Sequence, residues 1–104
     1  MSSRMTIRMN YQRSLQQADR LEELAEQIRK VGNTKVRNAM TAEAAAWKGD
    51  NEALLHTKSE KLQEKVMATA KSLKNVAGTI RTIAKNTYDA EMRAWEISHR
   101  RTYR

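Results

Sequence analysis

The sequence predicts an all-α fold: an antiparallel helical hairpin of two long helices that pairs into a four-helix bundle dimer. The 104 residues include no proline and only three glycines, which disfavours turn-rich sheet folds. Only sixteen residues are Leu, Ile or Val, which is too few for the core of a self-contained globule. Most of these few recur at alternating spacings of four and three, the pattern of helices that pack on one side.

Residues 1–9 are predicted to form an extended lead-in to the first helix. Met5, Ile7 and Met9 alternate with polar residues, which is a period of two rather than 3.6. Asn10 is a suitable N-cap because its side chain can accept a hydrogen bond from a free amide of the first turn. Helix 1 is therefore expected over residues 10–46.

Helix 1 has a seam of mostly apolar or small residues, which is typical of a helix packed on one side. The pattern weakens at Gly32 and Asn33, which are poor helix formers. Because the apolar phase resumes at Val36 without a shift, one continuous helix is predicted. The seam positions are Tyr11, Ser14, Ala18, Leu21, Ala25, Ile28, Gly32, Lys35, Ala39, Ala42 and Ala46.

Residues 47–51 are predicted to form the turn of the hairpin. Gly49 permits a positive φ, and Asp50 or Asn51 can cap the helix that follows. Trp47 has an ordinary structural explanation beside such a turn, since an aromatic ring can plug the open end of a helix pair.

Helix 2 is predicted over residues 52–98 and has the more regular repeat. Its alternating spacings over about six heptads predict a helix held against partner helices. The seam positions are Leu55, Ser59, Leu62, Val66, Thr69, Leu73, Val76, Ile80, Ile83, Thr87, Ala90, Ala94 and Ile97. From both helices, the dimer or hairpin seam is expected to include Leu21, Ile28, Leu62, Val66, Leu73, Val76, Ile80 and Ile83.

Residues 99–104 are expected to form a frayed basic tail. The net charge of +8 is spread along the chain, with +3 in residues 1–46, +2 in residues 47–98 and +3 in the tail. Basic residues interleaved with Glu and Asp are typical of solvated helix faces, so the charge does not predict a specific nucleic-acid site. A basic helical protein that binds nucleic acid or another partner inside the cell is the rival hypothesis.

No enzyme, cofactor or metal site is predicted. The chain has no Cys, and His56 and His99 lie far apart with no ligand spacing around them. A thin hairpin also offers no enclosed pocket for a catalytic group. No apolar run reaches the ~18–20 residues that a bilayer span requires, and the first twenty residues lack the apolar region of a secretory signal.

Trp47-Lys48-Gly49, at the midpoint of a short chain with two long helices, resembles the motif of the WXG family of type VII secretion proteins. The resemblance to this early secretory antigenic target-like group extends over the lead-in, residues 21–25 and residues 44–46. It implies a hairpin that pairs with a copy of itself or with a sibling WXG protein, a Gram-positive source and a link to virulence. It also implies that Trp47 and Gly49 contact the type VII secretion ATPase machinery. The protein is then expected to be cytoplasmic before export and extracellular afterwards, without a cleaved signal peptide.

The export signal of this family, Tyr-x-x-x-Asp/Glu after helix 2, is incomplete in this chain. The fourth residue after Tyr88 is Met92, Glu91 stands one position early, and Trp95 is followed at that spacing by His99. Three interpretations stay open: a partner supplies the signal, the signal has moved to Tyr88, Glu91 and Trp95, or the chain is not itself the cargo. In the last case it would be a dedicated chaperone or targeting partner of a larger helical toxin.

Overall fold

The computed structural model describes residues 3–46 and 50–102, and within them every residue after Ser3 is helical. Helix α1 is Arg4–Lys30, a π-helical turn follows over Val31–Val36, α2 is Arg37–Ala46 and α3 is Asp50–Thr102. Side chains are described for residues 3–42 and 53–100. No strand occurs in the described residues, and the all-α prediction is confirmed.

The chain divides into two compact units. Unit 1 consists of Met1–Leu21 and Asn75–Arg104, and it pairs the first part of α1 with the second part of α3. In this unit Tyr11 contacts Tyr88, while Asp19, further along α1, contacts Arg81, which lies earlier on α3. The two helical segments of unit 1 therefore run antiparallel, as in a hairpin.

Unit 2 consists of Glu22–Lys74 and contains a second antiparallel, hairpin-like pairing. Glu26 contacts Lys74, and Gly32, later in the chain, lies beside Val66, which is earlier on α3. The approach at Gly32 is close, because a Cβ atom placed on this glycine would lie only 2.9 Å from Val66 Cγ1. Glycine at this position therefore allows the π-helical turn to pack directly against α3.

Helix α1 begins at Arg4, so the predicted extended lead-in and the predicted N-cap at Asn10 are wrong. Ser3 supplies the cap instead. The Thr6 amide donates to Ser3 Oγ at 3.1 Å, and the Ile7 amide donates to the Ser3 carbonyl at 2.9 Å. Ile7 is buried, whereas the methionines two residues away on either side are exposed, so the alternating pattern reflects a helix with one inward residue.

The π-helical turn interrupts the single helix that was expected over residues 10–46. A π-helical turn takes up an extra residue, so it rotates every later position around the helix axis. After the turn Val36 and Met40 are half-buried, whereas Ala39 and Ala42 are exposed. The seam predicted at these two alanines is therefore wrong, because the helix phase shifts between residues 31 and 36.

Apart from Ile7, the buried apolar side chains at the contact between the described helices are all alanines. In unit 1, Ala18 and Ala77 are fully buried and Ala84 is 8% exposed; in unit 2, Ala25 is fully buried and Ala70 is 3% exposed. Small side chains at a helix contact allow the two backbones to approach closely. We call these five residues the alanine seam.

The predicted turn at residues 47–51 is described only in part, because residues 47–49 lie outside the described residues. Asp50 and Asn51 already belong to α3, which begins earlier than the predicted start at residue 52. At its other end α3 continues to Thr102, beyond the predicted end at residue 98. Residues 103–104 and the side chain of Ala46 also lie outside the described part of the chain.

Candidate functional site

One side of the helix pair in unit 1 carries an ion pair between the helices. Arg81 Nη2 donates to Asp19 Oδ1 at 2.7 Å. Asp19 follows Ala18 by one residue, and Arg81 precedes Ala84 by three. Because each helical residue advances by about 100°, offsets of +1 and −3 from a seam residue lie on the same side of a helix. We call this the charged side of unit 1.

The opposite side of unit 1 exposes large aliphatic residues. Positions one and four residues before a seam alanine lie on this side of each helix. Val76 and Ile83 directly precede seam alanines and are 48% and 59% exposed, and Ile97, two heptads beyond Ile83, is 50% exposed. Ile80 on α3 and Leu21 on α1 are half-buried beside them. We call these five residues the apolar face of unit 1.

The apolar face of unit 1 is formed mainly by α3. The ion pair brings the charged side of α1 against the charged side of α3. Because the two helices run antiparallel, the opposite side of α1 then lies next to the apolar side of α3. On that side α1 contributes Leu21, whereas its other positions there, Asn10, Ser14 and Gln17, are polar.

Unit 2 has an equivalent charged side built around Glu26. Lys74 Nζ lies 2.6 Å from Glu26 Oε1, and Arg29 Nε donates to Glu26 Oε2 at 3.2 Å. The hydrogen bond from Lys74, followed by that from Arg29, lowers the pKa of Glu26 below its ordinary value. The charged carboxylate is thus favoured in the folded state of unit 2.

The other side of unit 2 also exposes aliphatic residues. Leu24 and Val31 directly precede Ala25 and Gly32, and they are 45% and 41% exposed. Leu62 on α3 is 53% exposed. The half-buried aliphatic residues of the same side are Ile28, Val66 and Leu73.

The eight large residues predicted for the dimer or hairpin seam thus divide into two groups. None of these eight is buried by the contacts within the chain, so their predicted role between two chains stays a prediction. The half-buried ones are Leu21, Ile28, Val66, Leu73 and Ile80. The exposed ones are Leu62, Val76 and Ile83.

Tyr88, Glu91 and Trp95, the proposed positions of a relocated export signal, lie where α3 packs against the start of α1. The rings of Tyr88 and Tyr11 stack with their centroids 4.7 Å apart. The guanidinium of Arg4 lies 5.6 Å from the centroid of the Trp95 ring, within the range of a cation–π contact. All three predicted residues are half-buried, and the two aromatic rings make contacts within the chain.

A groove of about 190 Å³ opens beside the tyrosine stack in unit 1. Tyr11, Tyr88 and Glu91 form part of its lining, together with Ile80 and Ile83 of the apolar face. Because the two isoleucines belong to both surfaces, the groove extends the apolar face toward the start of α1.

Neither histidine lies in a ligand cluster. His56 Nε2 lies 2.9 Å from Glu60 Oε1 on an exposed part of α3. The ring of His99 stacks on Trp95 with centroids 3.7 Å apart. Over residues 3–42 and 53–100, no group of three acidic or histidine side chains is placed to hold a metal ion. Among the described helices, none combines the length and apolar character needed to cross a membrane.

Trp47 and Gly49, which carry the resemblance to the WXG family, lie outside the described residues. The expectation that they contact a secretion machinery therefore rests on the sequence motif. No protein-family model, curated protein or solved structure matches this chain.

The alanine seam has a sequence signal that the spacing of large aliphatic residues hides. Small residues at heptad spacing mark a close helix contact, and on α3 both Ala77 and Ala84 stand one position after an exposed aliphatic residue. Counting small and large residues together merges the two stripes into one apparent seam. The small residues at this spacing are Ala18, Ala25 and Gly32 in the first half of the chain, and Ala70, Ala77 and Ala84 in the second.

Proposed function

We propose that the chain is a non-enzymatic WXG-type protein of a type VII (ESX-like) secretion system, which acts by pairing with a second helical hairpin. In this proposal it is a secreted substrate or effector, or it is exported together with its partner. It is cytoplasmic before export and extracellular afterwards. The observation that carries the pairing is the apolar face of unit 1, where Val76, Ile83 and Ile97 are each about half exposed at multiples of seven residues. The assignment to a secretion system rests on the resemblance of Trp47-Lys48-Gly49 to the WXG motif.

Exposed aliphatic residues at heptad spacing are what a helix needs in order to pack against another helix. A second hairpin on the apolar face would bury these side chains and complete a four-helix bundle.

A second candidate is a targeting partner for a larger toxin that has a helical hairpin of its own. The contacts of Tyr88 with Tyr11 and of Trp95 with Arg4 favour this candidate. Side chains engaged within the chain are less accessible to a secretion machinery than a free C-terminal signal. A protein of this kind would be exported on the signal of its partner.

The motif residue Trp47 tests the assignment to a secretion system. In cells that carry a type VII system, we expect Trp47→Ala to abolish export while circular dichroism shows that helicity is retained. Lys48→Ala, within the same motif, is the matched control and should be exported like the wild type. Normal export of Trp47→Ala would remove the secretion role. A global loss of helix in this variant would instead assign Trp47 to a structural plug.

The salt dependence of partner binding separates this proposal from the nucleic-acid hypothesis. Binding through many phosphate contacts weakens by about 10³–10⁵ between 50 and 200 mM salt. Pairing through aliphatic side chains changes far less over this range, because only exposed charges at the edge of the interface are screened. A loss of several orders of magnitude would favour nucleic acid as the ligand.

A further inference from the structure

The outer edges of the apolar face of unit 1 are basic. An edge position lies two residues after a residue of the alanine seam, or at a multiple of seven residues from such a position. It is about 150° around the helix from the seam and so borders the face on the side away from the other helix. All the edge residues are exposed. They are Thr6, Arg13 and Arg20 on α1, and Thr79, Asn86, Arg93 and Arg100 on α3.

No acidic residue occupies these edge positions of unit 1. The acidic residues in its described part lie elsewhere on the same helices, at Asp19, Asp89, Glu91 and Glu96. In unit 2, the edge positions of α3 include Lys58 and Lys65 and again no acid over the described residues. The edges beside the exposed aliphatic residues thus carry charge of one sign.

The charged contacts between the helices of this chain differ from the edges, because each of them pairs an acidic residue with a basic one. Asp19 meets Arg81 in unit 1, and Glu26 meets Lys74 in unit 2. Charges that flank an apolar helix contact commonly decide which helices pair. The charged sides are complementary within the chain, whereas the outer edges of unit 1 carry four arginines and no acidic residue.

We propose that the apolar face of unit 1 binds a different helical hairpin, one with acidic residues along its edges, rather than a second copy of this chain. This inference rests on the proposed pairing function and specifies the kind of partner that the chain pairs with. Two copies packed face to face would bring basic edges against basic edges in either orientation, because the edges of both helices are basic. Like charges at such positions destabilise an interface, whereas acidic edges form ion pairs with Arg13, Arg20, Arg93 and Arg100.

An anionic membrane is another surface that attracts basic residues around an apolar face. Amphipathic helices that bind membranes usually place Trp, Phe or Leu on the apolar side, so an aliphatic face alone does not distinguish a membrane from a helix. In unit 1 the rings of Tyr11, Tyr88 and Trp95 take part in contacts between or along the helices, and the apolar face is formed by aliphatic residues at heptad spacing. Its heptad spacing matches a helix better than a lipid surface.

A charge-reversed copy of this chain can serve as the acidic partner, because it keeps the same apolar face and changes only the edges. A matched control reverses four exposed basic residues that lie off the face, so that the net charge is the same. The edge variant combines Arg13→Glu, Arg20→Glu, Arg93→Glu and Arg100→Glu. The control variant combines Arg8→Glu, Lys61→Glu, Lys71→Glu and Lys85→Glu.

Sedimentation equilibrium at micromolar concentration and about 150 mM salt measures how the wild type pairs with itself and with each variant. We expect the mixture with the edge variant to pair about tenfold more tightly than the wild type pairs with itself, because several exposed ion pairs replace repulsions. The mixture with the control variant should pair no more tightly than the wild type alone, since net charge is largely screened at this salt concentration.

Three results would overturn the inference. Self-pairing of the wild type as tight as its pairing with the edge variant would assign the face to a second copy and leave the proposed pairing function intact. No pairing in any mixture would remove both the inference and the pairing function. Binding of the wild type, but not the edge variant, to vesicles of anionic phosphatidylglycerol, in the absence of any hairpin pairing, would assign the face to a membrane.

Discussion

The alanine seam and the apolar face lie on the same two helices of unit 1, yet they differ in side-chain size and in exposure. Ala77 is fully buried, whereas Val76, its neighbour in sequence, is 48% exposed. The small residues bring the helices together and leave room for the ion pair between Asp19 and Arg81. Apart from Ile7, the large aliphatic side chains of this unit are therefore not the ones that hold the chain to itself.

This difference separates two kinds of substitution. A change in the alanine seam is expected to alter the free energy of unfolding of the isolated chain. A change in the apolar face is expected to alter the affinity for a partner while the isolated chain stays folded. The predictions below test this separation, beginning with the largest expected effect on unfolding.

Ala70→Leu should destabilise the chain by about 1–3 kcal/mol, because three further carbon atoms must fit into a close helix contact. Ala70 is 3% exposed. Ala68→Leu, two residues away at an exposed position, is the matched control and should change stability by about 0.5 kcal/mol or less. Urea unfolding followed by circular dichroism measures both. Equal stability of the two variants would contradict the close contact at Ala70.

Two glycines provide a second comparison. We expect Gly32→Ala to destabilise the chain by about 1–2 kcal/mol, since the new methyl group would lie 2.9 Å from the branched side chain of Val66. Gly78 has no atom within 4 Å of its would-be Cβ, so Gly78→Ala should stabilise the chain by about 0.5–1 kcal/mol. Thermal unfolding distinguishes the two signs. Stabilisation by both substitutions would show that α3 does not approach Gly32 closely.

Ile83→Ser tests the apolar face. Ile83 is 59% exposed, so we expect its replacement to change the free energy of unfolding of the isolated chain by less than about 1 kcal/mol. Pairing with the edge variant should weaken by about tenfold or more, because the side chain would be buried in the interface. Unfolding and sedimentation of the same preparation give both values. A strongly destabilised isolated chain would place Ile83 in the core of the hairpin.

The smallest effect concerns pH and the contacts of Glu26. Because Lys74 and Arg29 lower its pKa, the carboxylate stabilises unit 2 at pH above the ordinary value of 4.5. That contribution is lost as the pH falls through the lowered pKa. We therefore expect the stability advantage of the wild type over Glu26→Gln to shrink between pH 5 and the acid limit of folding. Thermal unfolding at a series of pH values measures this difference, and a constant difference would contradict the proposed role of Glu26.

The fold class could be predicted from the sequence, and the last helix could be predicted to within two residues at its start and four at its end. The heptad repeat between Leu55 and Ile97 survives in α3 because no proline or positive-φ glycine interrupts it. The start of α1 could not be predicted from apolar spacing, because Ile7 is the one buried residue among the three alternating apolar positions of the lead-in. The cap at Ser3 became evident only from its hydrogen bonds.

The π-helical turn was not predictable for a related reason. Val36 is apolar and follows Gly32 by four residues, so it fits an uninterrupted helix as well as one with an extra residue. Ala39 is exposed and Met40 is half-buried, which distinguishes the helix with an extra residue from the uninterrupted one. The basic edges likewise became recognisable only after the alanine seam had defined which side of each helix faces outward.

The most direct test of the separation between seam and face uses a chemical probe at two adjacent residues. The chain has no cysteine, so Val76→Cys and Ala77→Cys each introduce a single thiol. In the isolated chain we expect the thiol at position 77 to react with an alkylating reagent about tenfold or more slowly than that at position 76, because it is exposed only when the helices open. When the edge variant is added, the thiol at position 76 should become protected as well. Equal reactivity of the two thiols in the isolated chain would contradict the alanine seam, and continued reactivity at position 76 in the paired state would contradict the apolar face as the pairing surface.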